Sequence, residues 1–203
     1  MTLQCKPGRR LIVRTPQRIE TCTMGGFVHF KGEYWGVTAG HAFEGFGDGQ
    51  EVSYFPDSQL AKLGNYRTPL IRNGVTDLAK IAVDPGQISF APVGYPLPPA
   101  LYDEAQLGAL VGKQVVFMGA QIGKTEGTVT AVGPAGPFSR AITANLDCAM
   151  TIPGDSGGPL YLEDGVNLFW IGNLSESRAG ANASVCEALF LHPAAGLSAL
   201  GIR

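Results

Sequence analysis

The sharpest chemical signal in this 203-residue chain is the string Pro153-Gly154-Asp155-Ser156-Gly157-Gly158-Pro159-Leu160. Glycines around a serine leave backbone space beside its hydroxyl, and such a turn can aim the N–H groups of Gly154 and Ser156 at one point. Preorganised donors at that point stabilise negative charge developing on a carbonyl oxygen, so the chemistry indicated is acyl transfer with an oxyanion hole. A Gly-rich hairpin competes as the explanation of a bare G-x-S-x-G, but the full string argues against it.

A serine alone is a weak nucleophile and needs a base within hydrogen-bond reach, with a carboxylate behind that base. The chain has three histidines. His41 ends the run Trp35-Gly36-Val37-Thr38-Ala39-Gly40, where small residues leave space beside the ring. His29 lies inside an apolar stretch and His192 precedes a proline, so both read as packed or surface histidines. Asp77 opens the apolar run Leu78-Ala79-Lys80-Ile81-Ala82-Val83 and is the candidate orienting carboxylate. Asp84 ends the same run, whereas Asp48 and Asp57 sit in Gly- or Pro-adjacent turns that favour local backbone bonds.

The elements that must position these residues read as strands. Hydrophobic residues make up 45% and charged residues 16% of the chain, against roughly 25% charged in an average domain. With 28 Gly and 14 Pro, this favours short strands and tight turns. Apolar runs at 11–13, 23–30, 34–39, 51–55 and 78–83 form a first set, and those at 114–119, 127–132, 141–147, 159–162, 167–174 and 184–191 a second. The proline-rich stretch 87–99 reads as an extended connection, and 193–200 as the one helix, opened by Pro193. The expected architecture is all-β: two packed six-stranded antiparallel barrels and a short C-terminal helix. The division is residues 1–86 carrying His41 and Asp77, a connection over 87–110, and 111–203 carrying Ser156.

A net charge of −2 gives no basic stripe for a phosphate backbone, so nucleic acid is not an expected partner. No apolar run is long enough to span a membrane, and 1–17 contains no continuous apolar signal core, so the expected location is cytoplasmic. The cysteines Cys5, Cys22, Cys148 and Cys186 have neither zinc-site spacing nor disulfide density and are expected as buried thiols. Neither metal nor cofactor is implied.

The order Thr38-Ala39-Gly40-His41, then Asp77-Leu78-Ala79, then Gly154-Asp155-Ser156-Gly157-Gly158-Pro159-Leu160 resembles the chymotrypsin-like (trypsin-like) serine peptidases over roughly residues 20–200. The stretch from Thr21-Cys22-Thr23-Met24-Gly25-Gly26 to His41 is similar to trypsin-like proteins of fungi, and the compactness of the chain to proteases of positive-strand RNA viruses. The resemblance implies a Ser156–His41–Asp77 triad. It also implies departures. The digestive enzymes place cysteines beside the histidine and before the serine string, where this chain has Ala42 and Ile152. Their glycine-rich activated N-terminus is also absent, so Asp155 needs another partner, for which Arg140 is a candidate.

By the same resemblance, the specificity pocket has Met150 at its floor and Thr151 beside it. The segment 172–177 pairs with substrate backbone, placing Leu174, Ser175 and Ser177 at the substrate. Met150 and Leu174 imply an uncharged side chain before the cut, although Thr151 matches viral enzymes that cut after Glu or Gln. The implied function is an endopeptidase acting through an acyl-enzyme on a polypeptide, in limited proteolysis of a viral polyprotein or a cellular target. A catalytically silent scaffold and a hydrolase of non-peptide acyl groups are the alternatives, and the oligomeric state stays open.

Overall fold

The computed structural model describes residues 4–55, 59–148, 153–179 and 184–202. The first half contains β1 (Arg10–Arg14), β2 (Ile19–Thr23), β3 (Gly26–Phe30), β4 (Glu33–Thr38), β5 (Glu51–Tyr54), β6 (Ala61–Arg72) and β7 (Asp77–Val83). They form one antiparallel seven-stranded sheet in the order β2-β1-β5-β6-β7-β4-β3. The two end strands are consecutive in sequence, so the sheet curls round on itself. At the seam Met24 N–H donates to Arg9 C=O at 2.8 Å and Gly25 N–H to Val37 C=O at 2.9 Å.

The second half contains β8 (Ala100–Leu101), β9 (Gln114–Gly119), β10 (Gly123–Ala135), β11 (Phe138–Leu146), β12 (Pro159–Asp164), β13 (Asn167–Ala179) and β14 (Cys186–Leu191). Their order is β12-β9-β10-β11-β14-β13-β8, and β12 also pairs with β13, which closes six strands into a barrel with β8 as an added parallel strand. The expected pair of six-stranded barrels is thus a closed six-stranded barrel beside a curled seven-stranded sheet, with α1 (Pro193–Ala199) at the C-terminus.

The period-2 pattern decides which faces are buried. In β1, Leu11 and Val13 are buried while Arg10 and Arg14 point away. In β14, Cys186, Ala188 and Phe190 enter the barrel core and Glu187 and Leu189 face outward. Each half has its own core, around Phe43, Tyr66 and Ile81 in one and Phe117, Leu160 and Phe190 in the other. A third cluster joins Val37 and Leu78 of the first half to Met118, Tyr161 and Trp170 of the second, capped by Leu197 of α1. Each such buried large side chain stabilises the fold by about 1.5–3 kcal/mol, so this seam holds the halves in register.

None of the four cysteines is joined in a disulfide. Burial pushes the Cys5 and Cys22 thiols up to about 12. Cys148 and Cys186 bring their Sγ atoms to 2.8 Å. Among the described residues, no helix is long and apolar enough to cross a membrane, and no cluster of three or more His, Cys, Asp or Glu could hold a metal ion.

Candidate active site

β4 ends at Thr38, and after Ala39 and Gly40 the chain enters a single 3-10 turn, His41–Phe43, whose Ala42 and Phe43 are buried. The buried end of that turn fixes the backbone, while the His41 side chain stays about a quarter exposed, at 27%. β7 begins at Asp77, buried to 3% exposure, and pairs with β4, with Thr38 opposite Ala79. The carboxylate therefore lies beside the imidazole. His41 Nδ1 lies 2.6 Å from Asp77 Oδ2, and the His41 backbone N–H donates to Asp77 Oδ1 at 2.8 Å.

Burial alone would push the Asp77 carboxyl up. The His41 ring, Ser175 and the His41 N–H outweigh it and hold the group below the usual carboxylate range. An ionised carboxylate accepts the Nδ1–H, which leaves Nε2 of the ring as the free basic nitrogen.

The serine turn is bound to the same place. Thr23 N–H donates to Ser156 C=O at 2.8 Å, and the Thr23 hydroxyl donates to Gly154 C=O at 2.8 Å. Gly157 has φ of +85°, and a Cβ there would lie 2.2 Å from Thr38 Oγ1 and 2.7 Å from the Ala39 nitrogen. Only glycine fits so close to the strand that ends at His41. Gly157 N–H and Leu174 C=O pair at 2.8 Å, as do Leu174 N–H and Gly158 C=O, which sets β13 alongside the turn. Among the described residues, no backbone carbonyl accepts the N–H of Gly154 or Ser156, and no hydrogen bond joins the Ser156 hydroxyl to the His41 ring. Nucleophile-to-base bonds are often long before substrate arrives.

These elements and this geometry accord with the sequence match: the family model described as a trypsin-like peptidase domain matches residues 24–168, which include His41, Asp77 and Ser156. The chain belongs to that family. It is a serine endopeptidase. No curated protein sequence matches it. Among solved structures, Thermobifida fusca protease A is 18% identical with a TM-score of 0.67, over 97% of this chain and 95% of that one. The chymotrypsin of Cellulomonas bogoriensis is 22% identical with a TM-score of 0.65, over 97% and 95%. A glutamic acid-specific serine protease that uses a histidine triad in substrate binding is 19% identical with a TM-score of 0.68, over 96% and 97%. At these identities the likeness shows the chymotrypsin-like two-barrel fold.

In this trypsin-like peptidase Ser175 donates its hydroxyl to Asp77 Oδ2 at 2.7 Å. The Leu174 side chain is buried in the second core, and Ser177 is exposed on the same strand. Met150 and Thr151 lie outside the described residues. Asp84 is remote from the ring; it accepts Gly86 N–H at 2.8 Å in its own turn. His29 stacks on Tyr34 at 4.4 Å, and His192 contacts Tyr102 C=O at 3.1 Å, with burial lowering its pKa.

Arg140 is not the partner of Asp155. It binds Glu104, with Nη2 donating to the Glu104 C=O at 2.8 Å. The fully buried Asp155 instead accepts the backbone N–H of Gln121 at 2.7 Å and of Ile122 at 3.4 Å, from the β9–β10 turn. Sequence reasoning also missed Thr23, which holds both Gly154 and Ser156, and Asn173. The Asn173 amide donates to Gly157 C=O at 3.1 Å while accepting the Trp170 indole N–H at 2.7 Å. For Asn173 the signal is a polar residue directly after the apolar run 168–172; Thr23 ends a strand that is itself largely polar and carries no such mark.

Proposed function

We propose that Ser156, His41 and Asp77 act as one unit that cleaves peptide bonds through an acyl-enzyme, in limited proteolysis of a polyprotein or a cellular protein. What carries this reading is the double grip of Asp77 on His41, at ring Nδ1 (2.6 Å) and backbone N–H (2.8 Å), which presents Nε2 as a base. Nε2 takes the Ser156 proton as Oγ attacks the carbonyl carbon, and the oxygen gathers charge against the N–H groups of Gly154 and Ser156. The imidazolium, stabilised by ionised Asp77, then protonates the leaving amine. Water enters, gives its proton to Nε2, and releases the acid as Ser156 regains its hydrogen.

A fluorophosphonate probe tests the nucleophile, and a library of end-blocked peptides tests the bond. The expected result is stoichiometric labelling at Ser156 together with peptide cleavage, both abolished in Ser156→Ala. Labelling without cleavage of any peptide would make the chain a hydrolase of other acyl groups. No labelling would make it a silent scaffold.

A further inference from the structure

β13 continues past the serine turn. From Asn167 to Asn173 it is paired with β12, and from there to Ala179 it is paired with β14 on one side. Among the described residues, no strand covers the other edge of 175–178. That edge starts where Gly157 and Gly158 finish pairing with Leu174, so an extended peptide added to it leads straight to Ser156. In the antiparallel sense that the barrel already uses, the residues lying along it are those on the N-terminal side of the bond presented to Ser156.

Beside this edge, on the outer face of the barrel, is a cavity of about 510 Å³ walled by Pro134, Ala135 and Leu189, with Thr143 at its base. Two carboxylates line it, Glu176 and Glu187. Glu187 is taken by Arg178. Among the described residues Glu176 forms no hydrogen bond or ion pair; its Oε2 lies 3.6 Å from the place a Gly136 Cβ would occupy, in the turn of the β10–β11 hairpin. The nearby Arg72, which feels the charge of Glu176, is hydrogen-bonded to Glu44 at 2.8 Å. The cavity lining itself carries two carboxylates, Glu176 and Glu187, against one cation, Arg178, so the negative charges outnumber the positive.

We infer that Glu176 and this cavity form a binding site for a lysine or arginine side chain of an extended peptide, upstream of the bond presented to Ser156. The apolar walls suit the aliphatic stem of such a side chain, and the Glu176 carboxylate suits its charged head. At about 3.3 Å per residue, Glu176 lies about two to four peptide residues from the bond. The inference rests on the proposed placement of substrate along β13, but not on turnover.

The test uses the Ser156→Ala chain, which separates binding from catalysis, and an equimolar library of end-blocked decapeptides whose bound fraction is sequenced by mass spectrometry. Lys and Arg should be enriched about fivefold in that fraction. The enrichment should vanish in Ser156→Ala/Glu176→Gln and pass to Asp and Glu in Ser156→Ala/Glu176→Lys. Glu176 is partly exposed and has no hydrogen bond or ion pair among the described residues, so neither change removes one. No cationic enrichment, or enrichment unchanged in Glu176→Gln, overturns the inference. If the parental chain resists fluorophosphonate while its Ser156→Ala form still selects cationic peptides through Glu176, the catalytic reading fails and the binding site stands.

Discussion

The Ser175 hydroxyl donates to Asp77 Oδ2 at 2.7 Å across 98 residues of sequence. The same oxygen receives the His41 ring at 2.6 Å, so the carboxylate that orients the imidazole is fixed from the opposite half of the molecule. Asp77 and His41 come from the curled sheet, and Ser175 follows directly on the β13 residue that holds the serine turn. One hydrogen bond thus ties the alignment of the two halves to the chemistry at their junction.

Replacing Ser175 by Ala should therefore cost both activity and stability at neutral pH. A hydrogen bond to a charged group is worth about 1.5–3 kcal/mol, and Asp77 keeps its two His41 donors, so the loss belongs at the lower end. The Asp77 pKa is depressed in the folded chain, so its contribution to stability is present above the unfolded carboxylate value and disappears as pH falls through the folded one. Removing one donor raises the folded value. Urea titrations should show a deficit of about 1.5 kcal/mol at neutral pH that shrinks as Asp77 is protonated in acid, and kcat should fall roughly tenfold with KM little changed. Equal stability of the two chains at neutral pH would contradict this.

Asp77→Asn should be far more damaging, because an amide at that position can no longer stabilise an imidazolium or enforce the Nδ1–H tautomer. A loss of roughly 10⁴ in kcat is expected. Asp84→Asn, at the other end of β7, should leave kcat/KM unchanged, since Asp84 serves only its own turn through the Gly86 N–H. Stopped assays of both variants on one peptide decide the assignment; the reverse order of damage would move the third member to Asp84.

Positions that depend on local backbone were legible in the sequence. Ser156 among its glycines, His41 after two small residues and Asp77 at the head of an apolar run all sit where their local patterns place them. What depends on distance was not. Arg140 was matched to Asp155 by charge alone, yet a buried carboxylate can be satisfied by two main-chain N–H groups, which have no side-chain signature. β6 escaped because Lys62, Asn65, Arg67 and Pro69 break its alternation. Its register shifts between Arg67 and Ile71, around that proline, so the strand survives the interruption as an irregularity that pattern reading counts as an end. The 3-10 stretch Glu104–Leu110 lay inside the expected connection, where Leu107 and Leu110 are nonetheless buried.

The cysteines should differ sharply in reactivity. Cys5 and Cys22 are fully buried with thiols pushed up to about 12 by desolvation, so almost no thiolate forms at neutral pH. Cys148 is half-buried. Iodoacetamide followed by peptide mass mapping should label Cys148 first and Cys5 and Cys22 only after urea unfolding. With no disulfide joining the four cysteines, dithiothreitol should leave the melting temperature unchanged. Early labelling of Cys22 would mean that the first sheet opens at β2.

Asp155 should matter as much to the proposed oxyanion hole as Asp77 does to the proposed base. It is fully buried, directly precedes Ser156, and accepts the Gln121 and Ile122 N–H groups, so it fixes the turn that carries the Gly154 and Ser156 donors. Gly119 lies against it: a Cβ there would sit 2.5 Å from Asp155 Oδ1 and 3.0 Å from Ile122 Cγ1. Gly119→Ala should push the carboxylate off its donors and slow fluorophosphonate labelling by about 100-fold, the scale of losing an oxyanion donor. Asp155→Asn should do the same and cost about 2 kcal/mol, because a neutral amide oxygen accepts the Gln121 and Ile122 N–H groups more weakly than the carboxylate does. Circular dichroism should still report β-structure in both variants, which separates a displaced turn from an unfolded chain. Since the Asp155 carboxylate already has internal main-chain partners, an affinity tag placed before Met1 should leave kcat/KM within about twofold of the untagged chain. A tagged chain that works only after its N-terminus is cut would show that the Gln121 and Ile122 bonds are insufficient, and that a freed amine must reach Asp155.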